Sequence, residues 1–177
     1  MKTFGKRFLY LGAFFLLAIF SVFLAVGGVY FIKGSSGQIF LFVLSLVMTL
    51  GFFFVMFIND AAEDRKFCEK NGINIRPLRG FNLFLPVIVL QLILSGLLLY
   101  SKYYGFDFLT PYKFLNSAFM PLFAVIARGG TSLVSFQTLC VIAAIVPLFY
   151  LCLPLLYCLG LSKFRFIEGM TKRGGKR

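Results

Sequence analysis

Histidine and tryptophan are absent from this chain, and only six residues are acidic. The missing imidazole excludes histidine metal ligands, a histidine general base and a histidine pH switch. Cysteine is scarce and unpatterned: Cys140, Cys152 and Cys158 share one apolar stretch without CxxC spacing, and Cys68 falls in a charged loop. All four read as free thiols, those in the apolar stretch packing as small hydrophobic groups. A P-loop, the Asp-rich spacing of membrane phosphotransferases and the His-Glu pattern of membrane metalloproteases are missing too. Nothing in the pattern asks for a cofactor or a metal.

What is present is lipid-soluble. Apolar residues make up 60% of the chain, charged residues 14%, and the mean hydropathy is +0.92, with 25 Phe. Four runs free of Asp, Glu, Lys and Arg, at about 8–32, 39–58, 81–100 and 133–161, are each long enough for a hydrocarbon core of ~30 Å. The first is too long for the apolar core of a signal peptide and reads as a retained span. Gly34, Ser35, Ser36 and Gly37 leave room only for a tight turn between spans one and two. Pro147 and Pro154 are expected to kink the fourth span. The fold class is therefore all-α, a polytopic membrane bundle of four transmembrane helices in a single domain.

Orientation follows from Lys and Arg, which cytoplasmic segments retain. Fourteen of the eighteen fall in the N-terminal residues, the loop 59–80 and the tail 162–177. Lys33, Lys102, Lys113 and Arg128 alone lie on the other side, so both termini are expected in the cytoplasm and 101–132 outside. Within that external segment, 111–127 is apolar but too short and too polar to span. Phe114, Leu115, Ala118, Phe119, Leu122, Phe123 and Ile126 share a helical stripe, with Thr110 as N-cap and Pro111 as first helical residue. The expectation is an external interfacial or shallow re-entrant helix.

Polar residues at depth are uncharged. Gln91 and Ser95 in span three, and Gln137 and Thr138 early in span four, suit hydrogen bonding between helices or, in an oligomer, the lining of a solute path. The loop 59–80 is the most distinctive segment. Span two is expected to continue as helix for three turns and stop at Gly72 in a left-handed C-cap. Asp60 and Asp64, one turn apart, suit a shared divalent cation, but Arg65 with Glu69 and Glu63 with Lys66 favour a solvated, salt-bridged helix. Its surface, with Asp60, Asp64, Arg65, Arg76 and Arg79, suits docking of a partner. The basic tail, with Phe164, Phe166 and Ile167, suits the anionic inner leaflet. The net charge of +12 thus reads as topology and lipid attraction, and no segment is long enough to fold into a nucleic-acid reader.

The stretch from Asn59 through Arg79, Gly80 and Phe81 to Pro86 resembles a group of small, uncharacterised four-span membrane proteins of Gram-positive bacteria. So do Leu115, Asn116, Ser117, Ala118 and Phe119, and the end of span four from Pro154 to Gly160. The resemblance implies a bacterial cell membrane and four spans, and brings no activity with it. The expected role is a non-catalytic accessory, assembly or regulatory subunit, partnered by another membrane protein or by copies of itself. The alternative is a small oligomeric transporter or channel. An enzyme would have to work through Asp60, Asp64 and Cys68.

Overall fold

In a bilayer the backbone finds no water and must satisfy its own hydrogen bonds, so charge-free runs of this length fold as helices. The computed structural model describes residues 3–31, 34–74, 77–127 and 130–161, and its elements are helical throughout. They are α1 (Thr3–Phe31), α2 (Ser35–Asn71), α3 (Arg79–Tyr104), α4 (Leu109–Leu115), a 3-10 turn (Ser117–Phe119), α5 (Met120–Ile126) and α6 (Phe136–Cys152). After a break at Leu153 and Pro154 the last helix resumes over 155–161. Four of these helices are long and apolar enough to cross a membrane. The chain is an all-α, multi-pass membrane protein.

The outside of the bundle confirms the solvent. Phe23, Leu16 and Leu92 are 72%, 67% and 59% exposed, an apolar coat that only lipid would cover. The inside is aromatic: Tyr10, Phe53, Phe57 and Phe84 form one fully buried group, with Tyr10 and Phe57 ring centres 4.8 Å apart. α3 packs along α1 and α6, while α2 packs on α1 and α5. Toward the end of the bundle where α2, α3 and the last helix meet, Gly80 and Gly160 set close approaches. A Cβ on Gly80 would lie 2.6 Å from the Tyr157 Cβ, and one on Gly160 would lie 3.0 Å from the Ala61 Cβ. Lys6, Arg7, Arg65, Lys66 and Arg79 mark one end of the bundle as the basic end, opposite the far end.

α2 continues past its apolar run to Asn71, and Gly72 ends it at φ 62°, donating its N–H to the Cys68 carbonyl. This is the left-handed stop expected from the sequence. Pro154 interrupts the fourth span as expected, whereas Pro147 stays within α6.

The segment at 109–126 departs from expectation. No single helix forms over 111–127; α4 runs inward, the chain turns at Asn116 to Phe119, and α5 runs back. The helix begins at Leu109 after Phe108, not after Thr110, and the Leu109 N–H is shared by Asp107 Oδ1 at 3.1 Å and Thr131 Oγ1 at 3.0 Å, so Pro111 is the third helical residue. The turn has a local cause. Pro121 has no N–H to reach the Ser117 carbonyl, and Met120 donates to it instead, closing a 3-10 turn. The expected stripe is also displaced, because Phe114 and Ile126 are exposed while Asn116 and Ser117 are buried.

Depth is fixed by contacts. Ser117 Oγ donates to the carbonyl of Ala18, midway along α1, and Phe119 packs on both Phe42 of α2 and Phe149 of α6. Lys113 Nζ donates to the Ala127 carbonyl at 2.6 Å, joining the descending arm to the end of the ascending one. The segment is a helical hairpin that dips into the bundle, packed chiefly on α1 and α2 and touching α6 through Phe119.

Candidate functional site

The site begins with the two carboxylates on α2. One turn apart, they point to different neighbours. Asp60 pairs with Lys6 Nζ at 2.6 Å and accepts the Tyr10 hydroxyl at 2.9 Å, both from α1. Asp64 pairs with Arg79 Nε of α3 and accepts the Tyr157 hydroxyl of the last helix at 2.8 Å. Each carboxylate thus holds one cation and one phenol, and together they tie all four spans at the basic end. Lys6 also reaches Glu63 at 2.7 Å, and Arg65 pairs with Glu69 at 2.7 Å.

The solvated, salt-bridged helix expected here holds on the outer face, where Arg65 pairs with Glu69 and Lys66 and Lys70 are exposed, and is corrected on the inner face at Ala61 and Asp64. Asp64 is 1% exposed, and Glu63 turns to Lys6 of α1 rather than to Lys66 on its own helix. The cause is topological: the α2 extension is covered by the starts of α1 and α3 and by the end of the last helix. A carboxylate so placed is held by its partners, and losing one of them costs about 3–5 kcal/mol. Of the expected docking surface, Asp60, Asp64, Arg65 and Arg79 are pinned in these pairs, and Arg76 lies outside the described residues.

Above Asp64 is a cavity of about 630 Å³, lined by Asp64, Arg79, Tyr157, Asn82, Asn74, Cys68 and Thr3 with the apolar Phe67, Ile73 and Leu78. Asp64 Oδ1 and Arg79 Nη2 are buried without a hydrogen-bond partner at its base. Cys68 and Asp64 therefore share one wall, while Asp60 is turned away to Tyr10 and Lys6. Among the described residues no three His, Cys, Asp or Glu side chains gather as a metal site.

Next to this cavity α1 and α3 are joined through a proline. Pro86 lies inside α3 and has no N–H for the Asn82 carbonyl four residues back. Arg7 Nε supplies that bond at 3.0 Å, and Arg7 Nη2 donates to the Asn82 side-chain oxygen. The fork repairs the helix from outside.

The polar residues at depth separate. Gln91 is fully buried, its amide oxygen and nitrogen both unpartnered, and Ser95 one turn on lies 3.3 Å from the Tyr112 hydroxyl of α4. Asn116, one turn beyond Tyr112, is fully buried with Oδ1 unpartnered. Gln137 does not join them: it is exposed, and Thr138 serves the start of α6, its N–H and hydroxyl both meeting Ser135 Oγ. The four residues expected along one path thus fall into two places.

At the far end the ties run to backbone. Lys102 Nζ contacts the carbonyls of Thr131, Ser132 and Val134 at 2.8–3.2 Å. Asp107 accepts from the N–H groups of Leu109 and Thr131 and from the hydroxyls of Thr110 and Thr131. These bonds, that from the Thr131 N–H foremost, hold its carboxyl down at about 2.

Sequence reasoning passed over Lys6, Tyr10, Asn82, Asp107 and Tyr157. The Asn82 signal was present as an asparagine four residues before a helix proline, and the two tyrosines stand near the charged ends of apolar runs. Comparison with protein-family models, curated proteins and solved structures gives no match for this chain.

Proposed function

We propose that the chain is a non-catalytic accessory, assembly or regulatory subunit of a complex in the cell membrane, with its basic end in the cytoplasm. The observation that carries this reading is the braced extension of α2. Residues 59–71 continue for about three and a half turns beyond the apolar run. Side-chain pairs to the other spans hold the base of this extension, and Phe67, Ile73 and Leu78 stand exposed around its tip. Apolar groups held rigidly beyond the lipid suit a protein partner better than water. Orientation rests on the positive-inside asymmetry of the sequence.

The test is purification of the tagged protein from its native membrane in mild detergent, alongside Phe67→Asp and Ile73→Asp. A stoichiometric partner retained by the native chain and lost with either substitution is the expected result. Recovery of the protein alone from both preparations would refute it.

A second reading, a small oligomeric transporter, is favoured by one observation: Gln91 and Asn116 are buried at depth with unpartnered amide oxygens, beside the broken helix of the inward-dipping hairpin. Interrupted helices supply solute and ion sites in transporters. Solute flux in liposomes that is abolished by Gln91→Leu would support it, and equal flux with both chains would exclude it.

A further inference from the structure

Two facing stripes run down from the basic end. On α1 they are Thr3, Arg7, Leu11 and Phe15, each four residues apart; on α3 they are Arg79, Asn82, Pro86, Val89 and Ile93, three and four apart. Such spacings keep each set on one helix face. Both stripes are polar at the top and apolar below. Thr3, Arg79 and Asn82 line the 630 Å³ cavity, and the deeper residues line a second, almost wholly apolar groove of about 420 Å³ with Arg7 at its mouth. The Arg7–Asn82 fork is the seam between the two, since Asn82 lines one and Arg7 the other.

Charge distinguishes Arg7 from its neighbours. Lys6 is matched by Asp60 and Glu63, and Arg79 by Asp64, whereas among the described residues Arg7 has no carboxylate in ion-pair reach and hydrogen-bonds to the neutral Asn82. A guanidinium has five N–H donors, and this fork uses two. Depth agrees with the chemistry. From Arg7 to Phe15 the helix descends roughly 12 Å, most of one leaflet's share of a ~30 Å core.

We propose that this seam is a binding site for one anionic phospholipid, its phosphate against Arg7 with its headgroup toward the cavity, and an acyl chain lying along the groove. An unmatched cation at the mouth of an apolar intramembrane groove is complementary to that ligand: the guanidinium forks onto phosphate oxygens, and the groove replaces neighbouring lipid tails.

The experiment is native mass spectrometry of the delipidated protein, titrated with phosphatidylglycerol and with phosphatidylcholine of identical chains. The native chain should retain one phosphatidylglycerol in clear preference to phosphatidylcholine. Arg7→Gln should lower phosphatidylglycerol retention about fivefold, the effect of one basic group at an anionic surface, and remove the preference. Val89→Phe fills the groove from a half-exposed position and leaves Arg7 intact, and should reduce retention of both lipids. Glycerol phosphate, which has no chains, should compete poorly, separating a lipid from a free phosphate. Equal retention of the two lipids by the native chain overturns the proposal, as does an unchanged Arg7→Gln. A native dimer that Val89→Phe splits would overturn it too, giving the groove to a second copy.

Discussion

The two ends of the bundle are tied by different means. At the basic end side chain meets side chain, Asp60 with Lys6 and Tyr10 and Asp64 with Arg79 and Tyr157, save where Pro86 opens the Asn82 carbonyl that Arg7 takes. At the far end side chain meets backbone: Lys102 on three carbonyls, Lys113 on a fourth, and Asp107 on two N–H groups. The difference follows from what each end has to hold. Regular helices satisfy their own backbone and leave only side chains for joining one another, whereas the irregular chain between α3 and α6 has open backbone groups that need partners. Charge is spent on geometry at one end and on satisfaction at the other.

The largest expected effect tests the first half of that contrast. Asp64→Ala leaves Arg79 without its counter-charge and the Tyr157 hydroxyl without its acceptor, and should cost about 3–5 kcal/mol in unfolding measured in mixed detergent. A cost under about 1 kcal/mol, the range of exposed pairs, would mean that the basic end is not held by its carboxylates. Next in size is Gly80→Ala. Its new Cβ meets the Tyr157 Cβ and, at 3.0 Å, the Pro154 carbonyl, so α3 and the last helix must part at a cost of about 1–3 kcal/mol.

A smaller effect separates the two ends. Asp107→Ala should cost about 1 kcal/mol and raise amide exchange over 105–135 while the basic end stays protected. Its pH dependence has a definite sign. The folded carboxyl sits at about 2, below an unfolded value near ~3.9, so its contribution is complete above that value and disappears as pH falls through about 2. Native and Asp107→Ala chains should therefore converge in stability across that window; parallel curves would show that Asp107 is not the far-end tie. The smallest effect belongs to Glu63→Gln. Glu63 is exposed, and losing its share of Lys6 should cost about 0.5 kcal/mol or less in the same unfolding assay.

Much of the fold was legible in the sequence. Four charge-free runs foretold four long helices, Gly72 the end of α2 and Pro154 the break in the last helix. Each of these signals is local, a property of composition or of a single backbone position. The hairpin was legible only as a single external helix, interfacial or shallowly re-entrant, because the apolar stripe at 114–126 pointed to an interface and concealed that Asn116 and Ser117 face inward. Their partners lie elsewhere in the chain: Ser117 bonds to Ala18 of α1. The same distance hid the carboxylate site. Asp64 looked solvated because its nearest charges in sequence are on its own helix, whereas Tyr157 is 93 residues away and Lys6 is 54 from Asp60. Gln91 and Ser95 could be placed together from their spacing, but the separation of Gln137 and Thr138 depended on how α6 begins, at Ser135.

The bond between Arg7 and the Asn82 carbonyl also bears on the order of biogenesis. Pro86 makes α3 incomplete by itself: inserted alone, it would bring a bare carbonyl oxygen to the edge of the hydrocarbon. The missing donor is carried by α1, which is synthesised before α3. By the time α3 enters the membrane its repair is already in place, so the sequence of synthesis matches the sequence of need.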